Sequence, residues 1–306
     1  MNKLKVLVTG GGGFVGRNLT ERLIKDGHEV TITATGSEPV ENVHKVLYMS
    51  LEGIDWRYLA MQKFDVVFHQ MANNDTRCLD TREMWRANVS GPQRLFQTAL
   101  DGGCGKFIYA SSTAVYGNAP APYTEDTPID PLIPYAESKA EFDEFATNFA
   151  KENSVSVIGL RYCNVYGPGE SQKGKRMSMV GQIIRKILKD EKVVLFKDGT
   201  QKRDWVYVKD VVEANILAMQ SNKTGIYNIG GGGSWSFQEV VDITTNTMMH
   251  LFNYDPAPEV EYIDCPFSDS YQSHTECSIA KATQELGYLP KYDLNSGIEE
   301  YISAVA

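Results

Sequence analysis

"KVLVTGGGGFVG", residues 5–16, opens with a short apolar run and breaks into glycines. It is followed by "RNLTERLIKDGH", where apolar residues recur at helical spacing before Gly27 closes the segment. The order is strand, glycine turn, helix. Glycines 10, 13 and 16 follow G-x-x-G-x-x-G. Such a turn lets a backbone approach a pyrophosphate, whose charge is favoured at a helix N-terminus. A lone glycine pattern would be a flexible turn, but here it sits between the first strand and the first helix, which points to dinucleotide binding. Gly10, Gly13, Phe14, Val15 and Gly16 are therefore the first candidate cofactor contacts.

Outward from this turn the pattern repeats. "EVTITA", "FDVVFHQMA" and "KFIYASS" read as further strands, separated by helical stretches such as "TREMWRANVSGPQRLFQTAL". Strands alternating with helices imply βαβ units and a doubly wound parallel sheet of Rossmann type. The alternation runs to about residue 165, which sets the expected extent of a dinucleotide-binding domain at 1–165, with later strands crossing back into it. Residues 166–306 read as a smaller, interleaved α/β substrate region. It holds a helical segment at 177–190, a strand at "KVVLF", then "WVYVKDVVEANILAM", "GIYNIGG" and a helix with Ser236 and Glu239 at capping-box spacing.

An acidic residue is expected about 20 residues beyond the glycine turn, to hold the ribose hydroxyls. The second strand ends instead "TITATGSEP", placing Ala34 and Thr35 there. Without a carboxylate a 2′-phosphate is not repelled, and Thr35 and Ser37 can donate hydrogen bonds to it. Both NAD and NADP fit, with a lean towards NADP.

The totals exclude several classes. The chain has 306 residues, 42% of them apolar and 23% charged, with a net charge of −9 and no basic tract. Nucleic acid and anionic membranes are poor partners for it. Five scattered cysteines with no C-x-x-C read as reduced thiols of a cytoplasmic protein, not as a zinc site or disulfide framework. No apolar run approaches the length of a spanning helix. The N-terminus already reads as a strand, so no signal peptide is expected.

Two later fragments carry chemistry. "SSTAVYG" (111–117) ends a strand, and "YAESK" (135–139) places Tyr135 and Lys139 one helical turn apart on one face. An ammonium near a phenol favours the phenolate and is expected to lower the Tyr135 pKa, making it an acid/base with Ser111 or Ser112 as companion.

The glycine turn, "FDVVFHQMA", Asn88 in "ANVSG", "YASSTAVYG", "PYAESK" and "RYCNVYGPGE" stand in one order and at separations that resemble the extended short-chain dehydrogenase/reductase family, the NAD-dependent epimerases and dehydratases of nucleotide-diphospho-sugars. The resemblance spans essentially the whole chain. It implies that Ser112 polarises the sugar oxygen, Tyr135 is the acid/base, and Lys139 binds the nicotinamide ribose. It further implies cofactor contacts at Met71, Ala72 and Asn88, with His69 a core histidine. The 4,6-dehydratases place Asp-Glu after the serine, whereas this chain has Thr113 and Ala114, which cannot shuttle protons. The second half resembles the ADP-heptose 6-epimerase branch more than the UDP-galactose 4-epimerases. In that branch a lysine nine residues after the Asn of "NVYGP" is a second acid/base, and here it is Lys173. A contact to substrate phosphate, or a place in a solvated charge cluster with Lys175 and Arg176, are its alternatives. Asn164, Arg203 and Tyr271 match substrate-side positions, Arg203 pairing with the diphosphate. Ser270 stands where the branch carries an arginine.

The expectation is an NAD(P)-dependent epimerase of a nucleotide-diphospho-sugar, working through a transient keto-sugar and assembled as a homo-oligomer. The alternatives are an NADPH-dependent 4-keto-sugar reductase and a catalytically idle dinucleotide sensor. The sensor has no need of Ser112, Tyr135 and Lys139 together.

Overall fold

The computed structural model describes residues 2–35, 40–48, 53, 55–76, 78, 80–253, 258–266 and 272–306. Strands β1 (Lys5–Thr9), β2 (Glu29–Ala34), β3 (Lys45–Tyr48), β4 (Val66–His69), β5 (Lys106–Ser112) and β6 (Ser156–Tyr162) come first in the chain. They are followed by β7 (Asn164–Tyr166), β8 (Val193–Phe196), β9 (Lys202–Tyr207) and β10 (Gly225–Ile229). The last three are β11 (Ser234–Ser236), β12 (Val260–Ile263) and β13 (His274–Thr275).

Seven strands make one parallel sheet in the order β10-β6-β5-β4-β1-β2-β3. This is the doubly wound order, whose direction reverses beside β1, and ligands bind beyond the strand C-termini at such a switch point. The strands are apolar on both faces because helices cover both. Val6, Val8 and Ile108 pack with Leu19, Leu23, Val211 and Ile216 on one side. Leu7, Val67 and Phe107 pack with Phe96, Phe142 and Phe149 on the other.

The helix Phe14–Lys25 begins directly after the glycine turn. The helical stretch 81–101 is one run interrupted by a π-turn at Arg86–Ser90. Pro134 at the first turn starts the helix Pro134–Asn153, which carries Tyr135 and Lys139. Strand β10 begins only at Gly225 yet pairs with β6, so the later part of the chain returns to the first sheet.

The remaining strands form small sheets on a third core. Strand β9 is paired with β7, β11 and β13, and β8 with β12. Val180, Ile184, Trp205, Tyr207, Phe237 and Ile298 pack beneath them. Ser236 makes the expected capping box, its hydroxyl accepting from the Glu239 amide while the Glu239 carboxylate accepts from the Ser236 amide. Strands β3, β7, β11, β12 and β13 are short additions whose segments carry too few residues for a period to emerge. No helix among the described residues is long and apolar enough to cross a membrane.

Candidate active site

The C-terminal ends of β1, β2, β4, β5 and β6 open into a cleft of about 820 Å³. Gly10, Gly13, Phe14, Val15 and Gly16 form its floor, and Thr35, Met71, Ala72, Ser112, Tyr135, Lys139 and Lys173 line it as well. Of the other residues singled out in the sequence, Asn88, Asn164 and Arg203 do not line it, and Ser37 and Tyr271 lie outside the described residues.

The glycine turn has the shape a dinucleotide requires. Gly10 has a φ of 68°, and a side chain there would press on the Met71 backbone at 2.9 Å. A Cβ on Gly16 would sit 2.1 Å from the Gly10 carbonyl oxygen. The turn is therefore packed strand to helix with no room for side chains. The helix behind it has no side-chain N-cap and no acidic residue in its first turn. Its leading N–H groups face the cleft without a competing carboxylate, which fits a pyrophosphate.

Ser112 and Tyr135 meet through a hydrogen bond. Ser112 Oγ also accepts from the Ala114 amide at 3.2 Å, which fixes its rotamer at the end of β5. Lys139 is almost fully buried, and its Nζ donates to the Ala110 carbonyl at 2.8 Å. Burial pushes Lys139 down to about 8, opposed by the negative charge of Asp143 one turn along the helix. The expectation that Lys139 would lower the Tyr135 pKa is not met. Burial raises the phenol above its ordinary value, and only the Ser112 hydrogen bond opposes that. The lysine ammonium lies 5.9 Å from the phenol ring centre and is spent on a backbone carbonyl.

Behind these residues stands a buried network that sequence reading missed. Asp143 accepts from Arg161 Nε at 2.8 Å and from the Tyr109 hydroxyl at 2.9 Å. Arg161 Nη1 donates to the Tyr116 hydroxyl at 2.8 Å, which donates to Asn228 Oδ1 at 2.7 Å. It ties the Tyr135 helix to β5, β6 and β10. A buried Asp and Arg on separate elements leave no periodic trace, so the only signal was their polarity in apolar surroundings.

Asn88 is a brace. Its side chain accepts from the Asn73 amide at 2.8 Å and donates to the Asn73 carbonyl at 2.9 Å and to Ser138 Oγ at 3.0 Å. It joins the π-turn, the loop after β4 and the Tyr135 helix. His69 is in the core, paired with Thr9 Oγ1 at 2.7 Å, and burial holds its imidazole near 3 and thus neutral.

Lys173 reaches the cleft from the turn Glu170–Arg176, with its Nζ 5.1 Å from the Phe14 ring centre and 3.9 Å from Glu170 Oε2. Burial lowers its pKa, and the Glu170 charge opposes this. Glu170, another residue missed, is fully buried and accepts from the Ser178 amide and hydroxyl, both at 2.7 Å. It anchors the turn that presents Lys173. Arg176 Nη1 donates to Asn74 Oδ1 at 3.1 Å, clasping that turn to the loop after β4. Gln70 and Tyr162 line the cleft and are hydrogen-bonded to each other and to Asn215. Their position just past strand ends was the available clue. Asn164 and Arg203 lie on the adjacent strands β7 and β9, Asn164 donating to the Asp204 carbonyl at 3.1 Å.

Comparison with known proteins agrees with this geometry. The chain is 32% identical over 315 aligned positions to the ADP-L-glycero-D-manno-heptose-6-epimerase of Brachyspira hyodysenteriae, covering 97% of this chain and 96% of that one. The crystal structure of the Helicobacter pylori ADP-L-glycero-D-manno-heptose-6-epimerase superposes with a TM-score of 0.87 at 34% identity, covering 99% and 97% of the two chains. The Thermotoga maritima UDP-glucose 4-epimerase, solved with UDP-glucose, does so with a TM-score of 0.87 at 28% identity, covering 98% of each. A sequence profile of the NAD dependent epimerase/dehydratase family matches residues 6–230, and with the glycine cradle and the Ser112, Tyr135 and Lys139 wall in place the chain belongs to that family.

Proposed function

We propose that the protein is an NAD(P)-dependent epimerase that inverts a carbon of a nucleotide-diphospho-sugar through a transient keto-sugar. One observation carries the reading: Ser112, Tyr135 and Lys139 share a cleft with Lys173, a second partly desolvated lysine from a separate element. The three relatives compared above bear the names of epimerases, which favours this reading over a keto-sugar reductase.

Bound NAD(P)+ supplies a hydride acceptor that is restored at the end of each cycle. As the phenolate, Tyr135 accepts the proton of the sugar hydroxyl as its carbon is oxidised, and Ser112 holds the oxygen through its hydroxyl. Lys139 has three N–H donors, and those not given to the Ala110 carbonyl fix the nicotinamide ribose. Lys173 exchanges a proton with the sugar from its own side of the cleft. Asn164 and Arg203 hold the sugar–phosphate junction and the diphosphate. Arg203 is suited to this by its planar fork.

Residues 1–165, with β10 crossing back, form the cofactor side, and 166–306 mainly the sugar side. Among the described residues the wall at Ala34 and Thr35 carries no carboxylate, and Arg17 follows the glycine turn, which favours NADP. Sequence similarity makes ADP-heptose the first substrate to try. The working unit is a homo-oligomer, closed by point-group symmetry as most soluble oligomers are.

The test is to denature the purified protein, identify released nucleotide by mass, and assay ADP-heptose and UDP-hexoses for inversion. Near-stoichiometric NADP+ and inversion without net change in reduced nicotinamide absorbance are expected. Steady consumption of NADPH with a keto-sugar, and no inversion, would overturn the reading.

A further inference from the structure

Two thiols that the cleft chemistry leaves unused lie against each other beneath its wall. Cys163 follows β6 and lines the cleft. Cys277 lies 114 residues later, just past β13, where its segment bridges to Tyr123. Their Sγ atoms are 2.9 Å apart, and both residues are buried. A disulfide holds its sulfurs about 2.05 Å apart, so bond formation requires a displacement of about 1 Å.

Asp204 completes the cluster. Its Oδ2 is 3.6 Å from Cys277 Sγ and accepts from the Cys277 amide at 3.3 Å, while Oδ1 accepts from the Gly231 amide at 2.7 Å. Two thiols and a carboxylate are also a donor set for zinc, whose ligand atoms here lie within 4.8 Å of one another. The packing argues against an ion. Zinc–sulfur bonds of about 2.3 Å in a tetrahedral site hold two sulfurs well over 3 Å apart. A Cβ on Gly230 would meet Asp204 Oδ2 at 2.4 Å and Cys277 Sγ at 2.8 Å, so the cluster is closed on that side too.

We propose that Cys163 and Cys277 are a modification site, joined by a reversible intramolecular disulfide when the protein meets hydrogen peroxide. The cleft gives peroxide access to Cys163. Its sulfur attacks one peroxide oxygen, the O–O bond breaks, and the departing hydroxide takes the Cys163 thiol proton and leaves as water, so that Cys163 becomes a sulfenic acid. Cys277 passes its thiol proton to the Asp204 carboxylate and attacks the Cys163 sulfur. The S–O bond breaks, and the hydroxyl leaves as a second water with that proton. Two thiols lose two hydrogens and two electrons, and one peroxide is reduced to two waters.

Burial pushes the Cys163 thiol well up. The hydrogen bond from Cys163 pulls the Cys277 thiol down, but burial and the Asp204 charge leave it at about 11. Both are therefore thiols at neutral pH, and the reaction is slow without the neighbouring carboxylate. The bond closes a long loop and ties the end of β6 to the segment entering the helix Ala280–Leu286. It therefore restricts the unfolded chain strongly and raises the unfolding temperature. None of this depends on which sugar the cleft accepts.

The experiment treats the reduced full-length protein with hydrogen peroxide under native conditions, alkylates remaining thiols, and maps a non-reducing digest by mass spectrometry. A peptide linking Cys163 to Cys277, lighter by two hydrogens, is expected. It should vanish with dithiothreitol and be absent from Cys277→Ala. Oxidation should raise the unfolding temperature of the wild type and leave that of Cys277→Ala unchanged. Cys163→Ser provides the same control if Cys277→Ala fails to fold. Both thiols still alkylatable after treatment, a link through Cys78, Cys104 or Cys265 instead, sulfinic acid at Cys163 without a link, or stoichiometric zinc on the reduced protein would each overturn the proposal.

Discussion

Tyr135 is the residue on which the proposed chemistry turns, and its surroundings set what its loss should do. Its side chain is half-buried at the cleft wall and its phenol is hydrogen-bonded to Ser112. Removing the hydroxyl in Tyr135→Phe leaves the ring in place and takes away the proton acceptor. Turnover should fall by roughly 10²–10⁴-fold, with cofactor retention unchanged. Steady-state kinetics beside a cofactor titration checks this, and a parallel loss of cofactor would show a structural role. Asp204 is a second residue with a testable environment. Burial raises its carboxyl to about 6, opposed by hydrogen bonds from the Gly231 and Cys277 amides. A raised folded-state pKa means that the native state holds the proton more tightly than the unfolded chain. The stabilisation is complete below the unfolded value near 3.8 and is lost as pH rises through about 6. The difference in unfolding free energy between wild type and Asp204→Asn should therefore shift against the wild type between those pH values, by up to about 3 kcal/mol. Urea titrations across this range measure it, and a flat difference would contradict the assignment.

At the scale of elements, the glycine turn is the feature that admits least change. Gly16 packs its Cα on the Gly10 carbonyl, so Gly16→Ala places a methyl 2.1 Å from backbone that cannot retreat without moving β1 or the helix. The expected result is at least a tenfold loss in cofactor affinity and a destabilisation of about 2 kcal/mol, read by fluorescence titration and thermal unfolding. The turn and the Tyr135 helix were both legible from spacing alone, because a glycine triplet and a four-residue step each impose their geometry locally. The turn that presents Lys173 was not. It depends on Glu170, 0% exposed, reaching forward to Ser178, and on Gly174 at a φ of 54°. Nothing in "GESQKGKRMS" marks which of its charges is buried. Asn88 shows the same limit: its position matched a cofactor contact, but its amide is spent on Asn73 and Ser138.

For the whole molecule, the Asp143–Arg161 pair is the tie between layers. It joins the helix bearing Tyr135 and Lys139 to β6, with Arg161 3% exposed and Asp143 2% exposed. Asp143→Ala leaves a buried guanidinium without its carboxylate and should cost about 3–5 kcal/mol. It should also lower the Lys139 pKa, since the Asp143 charge is what opposes burial there. Denaturant unfolding tests the first effect, and the pH dependence of cofactor binding tests the second. The sequence by itself determined the doubly wound sheet, the glycine turn between the first strand and the first helix, and the placing of Tyr135 and Lys139 on one helix face. Each follows from a period or a spacing within one or two adjacent elements, and local backbone geometry enforces those. Only the tertiary structure decided that the strand crossing back is β10 and that it pairs with β6, that Lys173 enters the cleft, that Lys139 donates to Ala110, and that Cys163 meets Cys277 across 114 residues. These contacts are set by how layers pack and by which polar groups burial forces to find partners, and chain spacing carries no record of either.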